Sequence, residues 1–341
     1  MNRTPIIALT LLVAASNLPS AQMEPPRKFV IAHRGASAYL PEHTLAAKAV
    51  AHAMGADYLE QDVVLSRDDV PIVLHDIHLD AVTDVAERFP QRARPDGRYY
   101  ALDFSLAELK TLRVDERINP KTGKAVFGRR FPRGQASFAI VTLEEELRFI
   151  RALNQSTGRE AGIYPEIKRP AWHRAQGRDP SAIVLSVLEK WGYRTKADKV
   201  YLQCFDSTEV RRLRTDLHCQ CRLIQLLGRG EECRDHPRLM TAAGLRELAE
   251  IADGIGPSLD QVISGKTPAE TQISDLVANA HAAGLEVHPY TARADELPAF
   301  ATSYEDLLDK VLARAGADAI FTDHPDRASA FINEKLRNAP R

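Results

Sequence analysis

His33 and His75 each end an apolar run, and the acidic pair Glu60 and Asp62 lies between them. The two segments read IAHRGASAYLPEHT and GADYLEQDVVLSRDDVPIVLHD. Strand side chains alternate faces, so Glu60 and Asp62, two residues apart, point the same way. Two carboxylates on one face of a covered strand are costly to bury unless they bind something. A metal ion flanked by two histidines is the simplest occupant. Glu60 and Asp62 offer only oxygen, which suits Ca²⁺ or Mg²⁺ and not a soft transition metal. Histidine ordinarily titrates near neutral pH, so two histidines beside such an ion can share proton transfers.

Positioning these groups requires a framework of strands with their ends together. Apolar strand-like runs fall at Lys28 to His33, Tyr58 to Leu65, Gly162 to Lys168, Val200 to Phe205, Cys221 to Leu227, Asp253 to Gly256, Leu285 to Tyr290 and Ala319 to Thr322. Helical patterns sit between most of them: Glu42 to Met54, Leu143 to Leu153, Ser181 to Trp191, Ser207 to Leu217, Leu239 to Ile251, Pro268 to Ala283 and Tyr304 to Ala315. A last one, Arg327 to Arg337, closes the chain. Strand and helix alternating eight times is the count of a (β/α)₈ TIM barrel. A doubly wound open sheet is the alternative, but no Gly-rich dinucleotide loop follows the first strand.

The interval from Ile77 to Ile140 breaks the alternation and is rich in Arg, Pro and Gly. It reads as an insertion after the second strand, over the C-terminal face where barrel active sites are built. Its arginines, such as Arg88, Arg92, Arg94 and Arg98, either attract anionic substrates or form a solvated charged surface. The 45 basic residues balance 46 acidic ones, for a net charge of −1, which argues against a general nucleic-acid binder. Residues 1–22 carry one positive charge, an apolar run from Pro5 to Ala15, and then small and polar residues. That is the layout of a secretory signal peptide, so residues 23–341 are expected to be exported without a membrane-spanning segment. In an exported chain four cysteines raise the question of disulfides: a bridge from Cys233 to Cys219 or Cys221 would close a short loop, Cys204 lies inside a strand-like run, and the sequence does not decide which cysteine pairs.

HRG, PEHT, GADYLEQDV, PIVLHD and YPEIK resemble the glycerophosphodiester phosphodiesterases. The closest resemblance is to the exported, periplasmic bacterial type, whose text also runs through LDAVTDV, DGRYYALDF, YLQCFD, DGIGP, VHPYT and FTDHPD. It extends from about Lys28 to Phe331, departing chiefly in the cysteine-containing stretch from His218 to Arg238. The resemblance implies a TIM barrel, a divalent cation, and hydrolysis of glycerophosphodiesters to glycerol 3-phosphate and an alcohol. It carries Glu60, Asp62 and Glu166 over as metal ligands, with calcium ahead of magnesium. His33 and His75 become the acid–base pair, though the sequence does not say which is which.

Arg34, with its planar fork, and Lys168, on the face of Glu166, are then phosphate clamps. Glu42, just ahead of His43 at the first helix, either orients Arg34 or receives the glycerol. Gln203 with Phe205, and His288 with Tyr290, fall on the fourth and seventh strands, where the rings can wall the glycerol carbons. Asp323, ahead of His324 and Pro325, reads as an N-cap for the final helix. A lipid-cleaving barrel would show exposed membrane-binding elements, and a sugar-processing barrel would not need the histidine pair. Small glycerophosphodiesters such as glycerophosphocholine and glycerophosphoethanolamine are the expected partners. The oligomeric state, a homodimer included, is left open.

Overall fold

A computed structural model describes residues 27–337, so the signal-peptide segment lies outside the described residues. Eight parallel strands form the centre: β1 (Phe29–Ala32), β2 (Tyr58–Leu65), β3 (Gly162–Ile167), β4 (Tyr201–Cys204), β5 (Arg222–Leu227), β6 (Gly254–Pro257), β7 (Glu286–Val287) and β8 (Ala319–Thr322). From β1 to β7 each pairs in parallel with the next in sequence, and β8 pairs back with β1. The remaining seam is drawn together by Asp318 N–H donating to Val287 O at 2.9 Å and Phe321 N–H donating to Pro289 O at 3.0 Å. The result is a TIM barrel.

Helices surround it: α1 (Leu45–Ala53), α2 (Leu143–Thr157), α3 (Pro180–Lys190), α4 (Ser207–Thr215), α5 (Ala242–Ala249), α6 (Leu276–Ala282), α7 (Tyr304–Leu308) and α8 (Pro325–Phe331). Several begin where a side chain takes up backbone N–H groups left unpaired in the first turn: Thr44, Thr142, Asp179, Asp206, Thr241 and Ser303. Thr142 and Glu145 form a reciprocal capping box.

All eight residues of β2 are buried, and the alternation divides its side chains. Leu59 and Val63 join the layer between barrel and helices, while Glu60 and Asp62 face inward. Gln61, on the outward face, donates to Glu146 of α2 at 2.8 Å. Glu146 in turn pairs with Lys48 of α1 at 2.8 Å, both side chains fully buried. A floor of Phe29, Tyr58, Tyr164, Tyr201 and Phe321 fills the lower barrel.

After β2 the chain turns back, and Pro71–Val73 pairs antiparallel with its end, Leu65 opposite Pro71. The segment from there to α2 has a buried cluster of its own, including Leu79, Phe104, Leu109 and Ile140. The arginines named above are engaged within it: Arg92 with Glu108, Arg94 with Asp103, and Arg98 with Asp80. Arg88 is exposed.

Two expectations are corrected and the open question of the cysteines is answered. The pattern from Pro268 to Ala283 is not one helix: Gln272–Ile273 pairs antiparallel with Ile263–Ser264, and only Leu276–Ala282 is helical. Pro268 and Thr271 favour a turn there, with the Thr271 hydroxyl donating to Pro268 O at 2.7 Å. The seventh strand is shorter than the run from Leu285 to Tyr290, because Pro289 lacks an N–H for the ladder. All four cysteines are free and buried. Cys219 and Cys221 precede β5 and Cys233 follows it, so roughly 20 Å of strand separates them, far beyond disulfide reach.

Candidate active site

The C-terminal ends of β1 to β4 converge on a cleft of about 400 Å³ lined by His33, Arg34, Glu60, Asp62, His75, Glu166, Lys168, Gln203, Phe205 and Tyr290. Register explains the convergence. Asp62 pairs with Glu166 across β2 and β3, and Glu166 pairs with Gln203 across β3 and β4. Ligand-type oxygens of Glu60, Asp62 and Glu166 consequently lie within 4.8 Å of one another, on buried residues.

The HRG turn seats the first wall. Gly35 sits at φ +95°, and a Cβ there would meet the Ala47 backbone at 2.9 Å, so only glycine lets the loop lie against α1. Arg34, itself at φ +59°, thereby aims its backbone N–H at Glu60 Oε2, 2.7 Å away. Gln203 Nε2 donates to the other oxygen of Glu60 at 3.1 Å. Lys168 Nζ sits 2.8 Å from Glu166 Oε1 and 3.7 Å from Asp62 Oδ1. His43, also at positive φ, binds Asp62 Oδ2 through Nε2 at 2.7 Å.

Both cleft histidines are held in the same manner. Asp323 Oδ1 lies 2.6 Å from His33 Nδ1, and Asp76 Oδ1 lies 2.7 Å from His75 Nδ1. Each carboxylate thus fixes one ring nitrogen and leaves Nε2 to the cleft. Asp323 is therefore not the N-cap of α8. His324 occupies that position, and the Asp323 carboxylate turns instead to His33, Arg130 and Arg293. Burial first, and then the charge of Arg34, lower the pKa of both His33 and His75 to about 4.

The carboxylates carry the opposite strain. Burial pushes Glu166 up to about 8, against Lys168 and reinforced by Asp62. Glu60 is driven well above its usual range by burial and by Asp62. Asp62, though buried, is held well below its usual range by Lys168 and the histidines around it. Asp62 Oδ1 has no hydrogen-bond partner among the described residues. A buried, unpartnered carboxylate oxygen among crowded, desolvated acids suits a hard cation, so the three residues fit the group their donor atoms suggested.

Of the other candidates, Phe205 and Tyr290 meet edge to face, centroids 5.8 Å apart, and form one wall. Gly228 lets both side chains lie against it, since a Cβ there would come within 2.9 Å of the Phe205 ring and of the Tyr290 hydroxyl. Glu42 has both oxygens taken: Oε2 accepts from Arg34 Nη1 and Arg117 Nε, each at 2.9 Å, and Oε1 from Arg117 Nη2 at 2.7 Å. It orients Arg34 and has no oxygen left for glycerol. His288 is corrected outright. It is fully buried below the cleft, its Nδ1 2.8 Å from Tyr164 Oη, because an inward-facing side chain at this depth, one residue past β7, joins the barrel floor. Sequence reading missed His43, Asp76, Arg117, Arg130 and Arg293 as members of the site. Only Asp76, adjacent to His75, carried a signal in the text.

Comparison with known proteins agrees with this geometry. The chain matches the model of the Glycerophosphoryl diester phosphodiesterase family over residues 33–327. It is 40% identical to a glycerophosphodiester phosphodiesterase of Haemophilus influenzae, covering 96% of this chain and 98% of that protein. A second, from Treponema pallidum, is 36% identical over 91% of this chain and 93% of that protein. A crystal structure of a family homologue from Silicibacter pomeroyi DSS-3 superposes with a TM-score of 0.68 at 25% identity, covering 91% of this chain and 95% of that one. The chain belongs to the glycerophosphoryl diester phosphodiesterase family and is an enzyme that hydrolyses glycerophosphodiesters.

Proposed function

We propose that this enzyme is an exported, divalent-cation-dependent hydrolase that cleaves glycerophosphodiesters such as glycerophosphocholine and glycerophosphoethanolamine to glycerol 3-phosphate and an alcohol. The observation that carries the reading is the pair of carboxylate-held histidines sharing one cleft with Arg34, Lys168 and the three acids. Glu60, Asp62 and Glu166 would hold the cation, calcium ahead of magnesium, and it would supply positive charge for the phosphate oxygens. Export rests on the charge and hydropathy pattern of residues 1–22 and implies a periplasmic location.

Arg34 and Lys168 bind the phosphate, and Phe205 with Tyr290 exclude water from one side. One imidazole Nε2 removes the proton of the glycerol 2-hydroxyl as its oxygen bonds to phosphorus. The bond to the departing alcohol breaks, and the other imidazole gives its proton to that oxygen. Water then opens the cyclic phosphate with the two roles exchanged. Both rings are neutral at pH 7 in the free protein, which the base requires. The anionic substrate offsets Arg34, whose charge opposes protonation, so one ring can gain the proton that the acid requires. Tethering the attacking hydroxyl gives the advantage of an intramolecular reactant.

The test is product analysis on a panel of glycerophosphodiesters, with and without chelator, together with the 2-deoxy analogue. Several leaving alcohols should be accepted, chelation should abolish turnover, and the 2-deoxy analogue should bind without reacting. Turnover of the analogue within about tenfold of the parent, some 1.4 kcal/mol in barrier, would rule out the 2-hydroxyl as nucleophile and favour direct attack by water.

A further inference from the structure

We propose that the segment inserted after β2 is a brace for the acid–base pair, in which Arg117 and Arg130 are positioning residues, one behind each histidine. This rests on the acid–base reading of His33 and His75. Arg117 Nη1 donates to Asp76 Oδ2 at 2.6 Å, and Asp76 Oδ1 holds His75 Nδ1 at 2.7 Å. Arg130 Nη2 donates to Asp323 Oδ2 at 2.7 Å, and Asp323 Oδ1 holds His33 Nδ1 at 2.6 Å. The same histidine–carboxylate–guanidinium order thus occurs twice with an arginine from the insertion, Asp323 Oδ2 being shared with Arg293 Nε of the loop after β7 at 2.7 Å.

Each guanidinium also ties its carboxylate to a second part of the barrel. Arg117 grips Glu42 with Nε and Nη2, so one fork sets both His75 and the carboxylate that orients Arg34. Arg130 bonds Asp295 Oδ2 at 2.9 Å and Ser37 O at 3.2 Å, joining the loops after β7 and β1. The ring of Phe127 lies 3.5 Å from its guanidinium carbon. Side-chain exposure is 15% for Arg117 and 4% for Arg130, so neither waits in solvent for an anion. A hairpin spaces them: Val126 N–H donates to Arg117 O at 3.0 Å, and Ile118 pairs with Ala125.

A carboxylate with one oxygen on an imidazole and the other on a guanidinium cannot swing away, so the ring keeps its tautomer and its angle to the cleft. Lysine would preserve the charge but could not satisfy two or three separated acceptors in one plane. The insertion's function is therefore to preorganise proton transfer.

The test compares Arg117→Lys and Arg130→Lys with His33→Ala, His75→Ala and a control in the same insertion, Arg94→Met. Each lysine variant should lower kcat about 10- to 100-fold with KM and calorimetric Ca²⁺ affinity nearly unchanged, while Arg94→Met stays within twofold. Guanidinium chloride should restore kcat to Arg130→Ala, and methylammonium should not. On a glycerophosphodiester with a p-nitrophenolate leaving group, which departs without a proton, one lysine variant should release p-nitrophenolate in the first turnover at the normal rate and the other should not, since only the later opening of the cyclic phosphate needs both histidines. Only one histidine protonates the leaving oxygen. Normal kcat in both lysine variants, beside inactive histidine variants, would overturn the brace alone. Equal losses on both substrates with weakened Ca²⁺ binding would overturn it in favour of general support of the fold. Normal activity of His33→Ala and His75→Ala would overturn the acid–base reading and the brace with it.

Discussion

At the scale of single residues, the cleft is decided by what holds each group rather than by its identity alone. His33 lies among carboxylates and arginines, yet it stays neutral at neutral pH because burial and Arg34 outweigh Asp323. Replacing His33 or His75 with Ala should lower kcat by about 10² or more, with a smaller effect on KM. Asp323→Asn is the sharper probe. Its amide can present N–H to His33 Nδ1, favouring the tautomer with the proton on Nε2, where the base needs a lone pair. Steady-state kinetics should show kcat down by roughly 10²- to 10⁴-fold. An Asp323→Asn enzyme within threefold of the parent would mean that the carboxylate does not set the ring.

At the scale of elements, β2 is held from both faces. Inward, Glu60 and Asp62 meet the cleft; outward, Gln61 meets a fully buried pair, Lys48 of α1 and Glu146 of α2. Lys48 also donates to Glu60 O, so the pair reaches the backbone of a ligand residue. Removing one partner strands a buried charge, so Lys48→Met should cost about 3–5 kcal/mol in urea unfolding. The double change Lys48→Met with Glu146→Leu should recover most of that loss. A double variant as unstable as the single one would show that the helices depend on the ion pair itself. Gly35→Ala belongs to this scale too. Its Cβ would press on the Ala47 backbone, and the strained φ adds roughly 1–3 kcal/mol. Thermal unfolding should register the loss, and KM should rise as Arg34 is displaced.

At the scale of the whole molecule, the proposed cation site should make stability depend on pH and cation together. In the cation-free protein Glu166 has its pKa raised to about 8, so between its unfolded value and 8 the folded form holds the extra proton. That contribution is present at lower pH and is lost as pH rises through 8. His33, His43 and His75 are lowered to about 4, so the unfolded chain binds more protons below about 6.5 and stability falls from there toward pH 4. In EDTA, the melting temperature should therefore peak near neutral pH, and saturating Ca²⁺ should flatten the alkaline side. A melting temperature in EDTA that climbs steadily to pH 9 would contradict this. Binding of Ca²⁺ at pH 7 should also release a proton from Glu166, seen as a binding enthalpy that varies with the buffer's ionisation enthalpy.

The sequence alone determined the parts governed by local periodicity and donor chemistry. The eight strand-like runs, most of the helices between them, and the facing oxygen donors Glu60 and Asp62 could be read from spacing, because strand alternation and ligand type are local properties, whereas Glu166 was joined to them only by the family resemblance. Tertiary structure alone decided what lies beyond the reach of neighbours in the chain. His33 meets Asp323 across 290 positions, and Arg130 meets the same carboxylate across 193. His288 and Tyr290 share a strand-like run and its alternation, yet depth along the barrel sends the first to the floor and the second to the cleft. The insertion's named arginines looked like those that reach the site, since composition does not reveal which carboxylate will stand opposite. Closing the barrel brings the ends of all eight strands together, and that closure turns separate residues into one cleft.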